Sequence, residues 1–458
     1  MPWITNVPAA DTIGAWLAST RAEQVPADAV ETARRLVLDV AGLCVAARRE
    51  EYIDATLSAV DRGGACTAIG HAGGFDAFGA ALENGTAAHG EDFDDTFEGG
   101  PVHSGAVIVP AVLAACEREQ LGGDRLLVGI VTGVELLCRL SLVAPQATHR
   151  AGFHPTAVFG AVAAAGAVGA ALGMPAAAIA SALGIAGSMA SGIIEYLAQG
   201  TWTKRMHAGW AAQSGIRAAL MARGGFLGPP TVLDGTHGLY KAFAPSVPPN
   251  FEPLLADLGR RWVTPTIAFK PYACGTMTQP FIDCAIQLAN SGVQAADINE
   301  IVCEVAEGTV HRLWEPLATK HRPPTTYAAK FSTPFCMAVG FADGKAGFAQ
   351  FTAARVQDPA VLALAAKIRY VLNPADEYPR NFTGHLRAVT RDGRILEFRQ
   401  PHMRGGAHDP LPATELENKF MDNAAYGGWS RDTAERLLRQ AGTLFGQSRL
   451  DTLTEFRT

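Results

Sequence analysis

Lysine is nearly missing from this chain: of 38 Lys and Arg among 458 residues only eight are lysine, and none precedes Lys204. Arginine carries the rest of the cationic charge, so a lysine retained in an apolar setting asks for a reason. Charge of either sign is low, at 18% of residues and a formal −6, with no basic run. Without such a run the chain lacks the electrostatic footprint of a nucleic-acid binder. The eight cysteines (44, 66, 116, 138, 274, 284, 303, 336) show no CxxC spacing. That argues against a zinc site and a disulfide framework, and reads as reduced core thiols of a cytoplasmic protein. Long Leu/Ile runs are missing too. The one membrane-like stretch, residues 156–194, is built on Ala and Gly and split by Pro175, which fits two tightly packed helices of a bundle better than a membrane span. The N-terminus has neither a basic nor an apolar leader segment, so no signal peptide is expected.

What is present is apolar mass. Hydrophobic residues reach 48% before the 48 glycines are added, which predicts a large core and a buried oligomer interface. The length favours two domains. Up to about residue 245 the apolar spacing is helical, as in DTIGAWLASTRA and DAVETARRLVLDVAGLCVAAR. A Pro-rich stretch at 243–255 loosens the pattern, and strand signals follow at 262–272, 298–310 and 385–400, the last a hairpin around Asp392-Gly393. Helical runs at 276–291 and 332–342 lie between them. The expected fold is mainly α, with a large helical domain (1–265 and 405–458) and an inserted, smaller α+β domain (266–404).

HGEDFDDT at 89–96 concentrates four carboxylates and a histidine, although Asp is a poor helix former. Were the stretch helical, Asp92, Asp95 and Thr96 would share a face. A metal reading would use His89, Asp92, Asp94 and His103, but no spacing matches a defined metal motif, and no metal is expected. Lys204, Arg205 and His207 place three cationic or protonatable groups within four residues, an anion site in outline. Lys270 stands in IAFKPYACG at the end of an apolar run. His103 and His154 each precede a helix start, where the positive dipole end favours anions. The plain alternatives are helix caps and solvated element ends.

The motifs HGEDFDDT, HSGAV, GFHPTAVFG, TKRMHAGWAAQSG, GGFLGPPTVLDGTHGL, FKPYACG and KFSTPFCMAVGFADG, in that order, resemble the MmgE/PrpD family nearly end to end. That family includes 2-methylcitrate dehydratase, cis-aconitate decarboxylase and iminodisuccinate epimerase. The resemblance implies a large helical domain, a smaller lid-like α+β domain with the site in the cleft between them, a homodimer, and catalysis without metal or organic cofactor. Carried over by position, it implies Asp92, Thr96, His103, His154, Lys204 and Lys270 as site residues, with His207 and Tyr272 beside the matched lysines. The shared chemistry is a carbon acid: a proton α to a carboxylate is moved, with cations holding substrate carboxylates. On this reading Lys204 and Lys270 bind carboxylates, His103 with Asp92 moves the proton, His154 holds or protonates substrate, Tyr272 is a second donor, and Thr96, Arg205 and His207 line the substrate.

Three positions depart from the family pattern. After DDT only His103 remains of a His-containing segment, Cys274-Gly275-Thr276 and Thr278-Gln279 replace a Ser-Cys-Arg and a following Thr-His after Lys270, and Phe335 stands for a tyrosine. A small anionic di- or tricarboxylate substrate is expected, turned over by a lyase, either dehydratase or decarboxylase. An isomerase that epimerises an iminodisuccinate-type dicarboxylate is the alternative, because it needs fewer donors. A non-catalytic carboxylate binder and a metal-dependent hydrolase are the further alternatives.

Overall fold

The computed structural model describes residues 7–458, apart from the side chains of Gln199, Asp451 and Thr452; the part of the leader reading that rests on residues 1–6 lies outside the described residues. The fold is mainly α with a smaller α+β part. The chain forms two compact units. Unit 1 runs to Gly90, resumes over Asp94–Ile267 and returns over Phe420–Thr458, while unit 2 takes Glu91–Phe93 and Ala268–Lys419. The second boundary thus falls at 419/420, not at 404/405, and three residues of the HGEDFDDT stretch belong to unit 2.

Unit 1 is helical. The helix Pro155–Ala171 is buried at every residue, with His154 as N-cap and Pro155 at its first position, where proline's missing N–H costs nothing. A helix apolar all round belongs in the middle of a core. Ala176–Met189 follows it after Pro175, so the 156–194 stretch is two helices. Thr203–Arg223 lies against both Pro155–Ala171 and Ala77–His89. Glycine permits that approach: a Cβ on Gly209 would stand 2.1 Å from the Leu82 carbonyl oxygen, and one on Gly215 would stand 2.4 Å from the Ala164 Cβ. Small residues here serve close helix contact in a core. No helix of the described residues is long and apolar enough to cross a membrane.

Unit 2 holds a four-stranded sheet of β1 (Ile298–Val305), β2 (Ile368–Leu372), β3 (Gly384–Thr390) and β4 (Ile395–Gln400), in the order β2-β1-β3-β4. β1 pairs parallel with β2 and antiparallel with β3. A register shift between Ile298 and Glu300 lets Ile298, Ile301, Cys303 and Val305 all turn inward, as a bulge does. β3 and β4 are the expected hairpin, with Gly393 at φ +84° in its turn. Helix Gln279–Asn290 lies on β3 and β4 and against Thr333–Asp343.

Two strand expectations contract. In 262–272 only Ile267–Ala268 is strand, because Pro265 and Pro271 bracket it without N–H donors. In 298–310 the strand ends at Val305 and Glu307–Leu313 is helical. HGEDFDDT is not helical beyond His89, where Ala77–His89 stops, and Asp92 takes a left-handed φ of +56°. The shared face of Asp92, Asp95 and Thr96 therefore does not form.

Candidate active site

In unit 1, helix ends gather four histidines. His89 ends Ala77–His89, His103 precedes the N-cap Ser104, His154 is itself an N-cap, and His207 stands in the second turn of Thr203–Arg223. All four are buried. The rings of His89 and His154 stack at 5.4 Å and 21°, and His89 lies 5.0 Å from the His103 ring. The Nδ1 atoms of His154 and His207 are 3.1 Å apart, so one donates and the other accepts.

Two adjacent aspartates organise this cluster. Asp95 caps helix Gly105–Arg118: its carboxylate accepts from the Ser104 N–H and hydroxyl, both at 2.9 Å, and from the Gly105 N–H at 2.8 Å. Burial, reinforced by the neighbouring Asp94 charge, still pushes its pKa up to about 7. The backbone carbonyl of Asp95 accepts from His103 Nδ1 at 2.7 Å. A carbonyl oxygen cannot donate, so neutral His103 keeps its lone pair on Nε2. Asp94 takes the Nδ1 proton of His89 at 2.6 Å and lies 3.5 Å from His103 Nδ1. Within unit 1 the carboxylate nearest His103 is therefore Asp94; Asp92, the expected partner, belongs to unit 2. His89 Nε2 is buried with no hydrogen-bond partner.

Burial above all, then the neighbouring His89 and His207, holds His154 well below the usual imidazole range. Burial, then His89 and Lys204, lowers His207 to about 3. Both rings are thus neutral near pH 7. Lys204 and Arg205 are buried in the first turn of Thr203–Arg223, and the Arg205 guanidinium stacks 4.2 Å from the centre of the Tyr52 ring. Thr96 is buried in the short strand Thr96–Phe97.

In unit 2, Lys270 is fully buried and donates from Nζ to the Asp92 carbonyl at 3.0 Å, while the Tyr327 hydroxyl donates to Asp92 Oδ2 at 2.9 Å. Lys330 meets Glu91 twice, at its carboxylate (2.7 Å) and its carbonyl (3.0 Å). Tyr272 stands apart from this group. Its hydroxyl donates to Asp283 at 2.6 Å and accepts from Arg404 at 3.2 Å, and burial followed by the Asp283 charge pushes its pKa up. A phenol committed to a carboxylate is poorly suited as the second proton donor. Gln279, one of the departures from the family pattern, ties the same loop by bonding the Tyr272 and Cys274 carbonyls.

His89, Asp94 and His103 are three groups whose ligand atoms lie within 4.8 Å of one another. The 2.6 Å separation of His89 Nδ1 from Asp94 is that of a hydrogen bond, shorter than the roughly 3.3 Å between two ligands of one tetrahedral zinc with ~2.0 Å bonds. The geometry is that of an oriented Asp–His pair.

Sequence reasoning passed over Tyr327, Lys330 and Lys419, and named His89 and Asp94 only as candidate metal ligands. Lys330 and Lys419 belong to the same eight lysines as Lys204 and Lys270, so scarcity marks them equally.

The sequence matches two known family domains. The MmgE/PrpD N-terminal domain matches residues 11–252 and the MmgE/PrpD C-terminal domain matches residues 272–441. The chain belongs to the MmgE/PrpD family. Its relatives include a cis-aconitate decarboxylase of Aspergillus terreus, 27% identical over 434 residues that span 88% of this chain and 87% of that protein. A cis-aconitate decarboxylase of Homo sapiens is 30% identical over 371 residues, covering 79% of this chain and 75% of that protein. A cis-aconitate decarboxylase-like protein of Aspergillus oryzae is 26% identical over 430 residues, covering 88% of each chain.

Proposed function

We propose that this protein is a lyase that acts on a small tri- or dicarboxylate by moving a proton at a carbon next to a carboxylate, with decarboxylation of a cis-aconitate-like substrate as the reading best supported. The observation that carries it is His103, whose Nδ1 is bound to the Asp95 carbonyl, which makes Nε2 the nitrogen that carries the lone pair of the neutral ring and takes up a proton. Loss of CO2 leaves an electron pair on carbon, which a protonated His103 Nε2 would quench; in dehydration the same atom would remove the α-proton. Neutral His154 serves as a hydrogen-bond partner of the substrate, without adding charge. Lys204 supplies a cation for a carboxylate. Asp92, buried and held by Tyr327, is the second proton-handling group. No cofactor enters these steps. The names of the relatives support decarboxylation over dehydration.

A homodimer is part of the proposal. Ile193, Leu197, Trp202, Met206, Trp210, Met221, Phe226 and Leu227 are all large, apolar and exposed, Leu227 to 83%. Trp202, Met206 and Trp210 recur every fourth residue and form one stripe. A monomer rarely leaves so continuous an apolar face in water. The eight cysteines are free and buried, which suits a cytoplasmic location.

The test is proton NMR in D₂O with cis-aconitate, citrate, 2-methylcitrate and iminodisuccinate in turn. Release of CO2, or vinyl signals from a saturated substrate, is the expected result. Deuterium entering an α position without loss of CO2 or water would make the protein an epimerase. Tight binding with no turnover would make it a binder, and silence with all four would sink the reading.

A further inference from the structure

Three of the eight lysines grip three successive carbonyl oxygens. Lys330 Nζ donates to the Glu91 carbonyl at 3.0 Å, Lys270 to that of Asp92 at 3.0 Å, and Lys419 to that of Phe93 at 2.7 Å. Every member of this set belongs to unit 2. Lys419 also stands 4.0 Å from the Phe93 ring centre, and Lys330 lies over Phe348 and Phe351 at 5.1 and 5.3 Å. A buried ammonium is costly unless hydrogen-bonded and compensated by charge. Three of them on three consecutive peptides are more than is needed to seat a loop. The residue in the middle has the left-handed φ of +56°, which is strained for a residue with a Cβ although Asp tolerates it better than most. Its carboxylate receives the Tyr327 hydroxyl.

We propose that Tyr327 is a positioning residue for Asp92: the lysine clamp fixes the backbone at residues 91–93, and the Tyr327 hydroxyl fixes the direction and ionised form of the Asp92 carboxylate. The division of labour follows from geometry. Backbone bonds to the 91, 92 and 93 carbonyls set where the Cα–Cβ bond of Asp92 points, but leave the carboxylate free to rotate about χ2. A directional donor on Oδ2 removes that freedom. A phenol does this without adding a positive charge to a segment whose three carbonyls already hold three ammonium groups. The same donor favours the ionised carboxylate over the acid, the form a proton acceptor needs. This inference rests on the reading of Asp92 as a proton-handling group.

The experiment is steady-state decarboxylation of cis-aconitate by the full chain and by Tyr327→Phe, which removes one oxygen and keeps the ring edge-to-face with Phe331. The expected result is kcat about tenfold lower with KM within twofold, the split that marks loss of an interaction made in the transition state. The acid limb of kcat/KM should move to higher pH by about half to one unit, because the lost donor had favoured the charged carboxylate. In an Asp92→Asn background, where the orientation has nothing left to serve, Tyr327→Phe should cost nothing further. A Tyr327→Phe enzyme with wild-type kcat and an unmoved acid limb would overturn the proposal, as would a loss that simply adds to that of Asp92→Asn. Wild-type enzyme silent on all four carboxylates would instead bring down the functional reading, and this inference with it.

Discussion

His103 Nδ1 lies 2.7 Å from the Asp95 carbonyl oxygen while Asp94, one residue earlier, binds His89 at 2.6 Å. One turn of chain thus orients two imidazoles by different means. The carbonyl gives His103 a fixed tautomer without a full negative charge, and the carboxylate gives His89 both. A carbonyl can only accept, so it fixes which nitrogen of the neutral His103 ring carries the proton, while the Asp94 charge stands behind both rings.

If that difference matters, His103→Gln should lower kcat by at least a hundredfold, the size expected for a general acid–base group. Asp94→Asn removes only the charge behind the pair, and should lower kcat by about tenfold. Single-turnover rates on cis-aconitate for the two variants check the order; near-normal turnover in His103→Gln would remove His103 from the mechanism.

How much of this was legible in the sequence follows local rules. The His154-Pro155 start and the break at Pro175 could be read because proline's constraints act within one turn. The hairpin at Asp392-Gly393 was legible for the same reason. β2 was not: IRYVL pairs parallel with β1, more than sixty residues earlier, and nothing local announces a parallel partner. The two-residue strand at 267–268 was overestimated because β-branched and aromatic residues outweighed Pro265 and Pro271 in the pattern. His103 and His154 were found from helix starts, but the partition of Asp92 from Asp94 and Asp95 was invisible. It depends on a left-handed residue and on lysines up to 327 positions away along the chain.

Lys330 and Glu91 form a buried pair at 2.7 Å. Lys330→Met would leave the Glu91 carboxylate without its cation, and breaking a buried pair on one side typically costs about 3–5 kcal/mol. Lys330→Met combined with Glu91→Gln removes both charges, so it should be more stable than Lys330→Met alone. Urea unfolding of the two variants tests this; a double variant less stable than the single one would mean that Glu91 is held by other groups.

The exposed stripe of Trp202, Met206 and Trp210 predicts that Met206→Glu with Trp210→Glu shifts the protein from dimer to monomer in sedimentation velocity at micromolar concentration. If the proposed homodimer buries this stripe, two carboxylates per protomer would be desolvated there without cationic partners. A double variant that sediments as the wild type does would place any self-association elsewhere.

His207 makes acid sensitivity specific. Its folded-state pKa is lowered to about 3 from an ordinary 6.5, chiefly by burial, so between those values the unfolded chain takes up a proton that the folded one refuses. The stabilising contribution is therefore complete above pH 6.5 and is lost progressively as pH falls towards 3. Between pH 6.5 and 5 the loss amounts to about 2 kcal/mol, at ~1.4 kcal/mol per unit. Asp95, raised to about 7, acts with the opposite sign over the same window, because its folded form holds a proton that the unfolded chain has released. The wild-type slope alone is therefore ambiguous, and the difference between variants is the readout. Folding free energy measured at pH 6.5 and pH 5 should fall by about 2 kcal/mol more in the wild type than in His207→Gln. Equal slopes would mean that His207 is protonated in the folded protein, and that the 3.1 Å contact with His154 is held by a shared proton instead of two neutral rings.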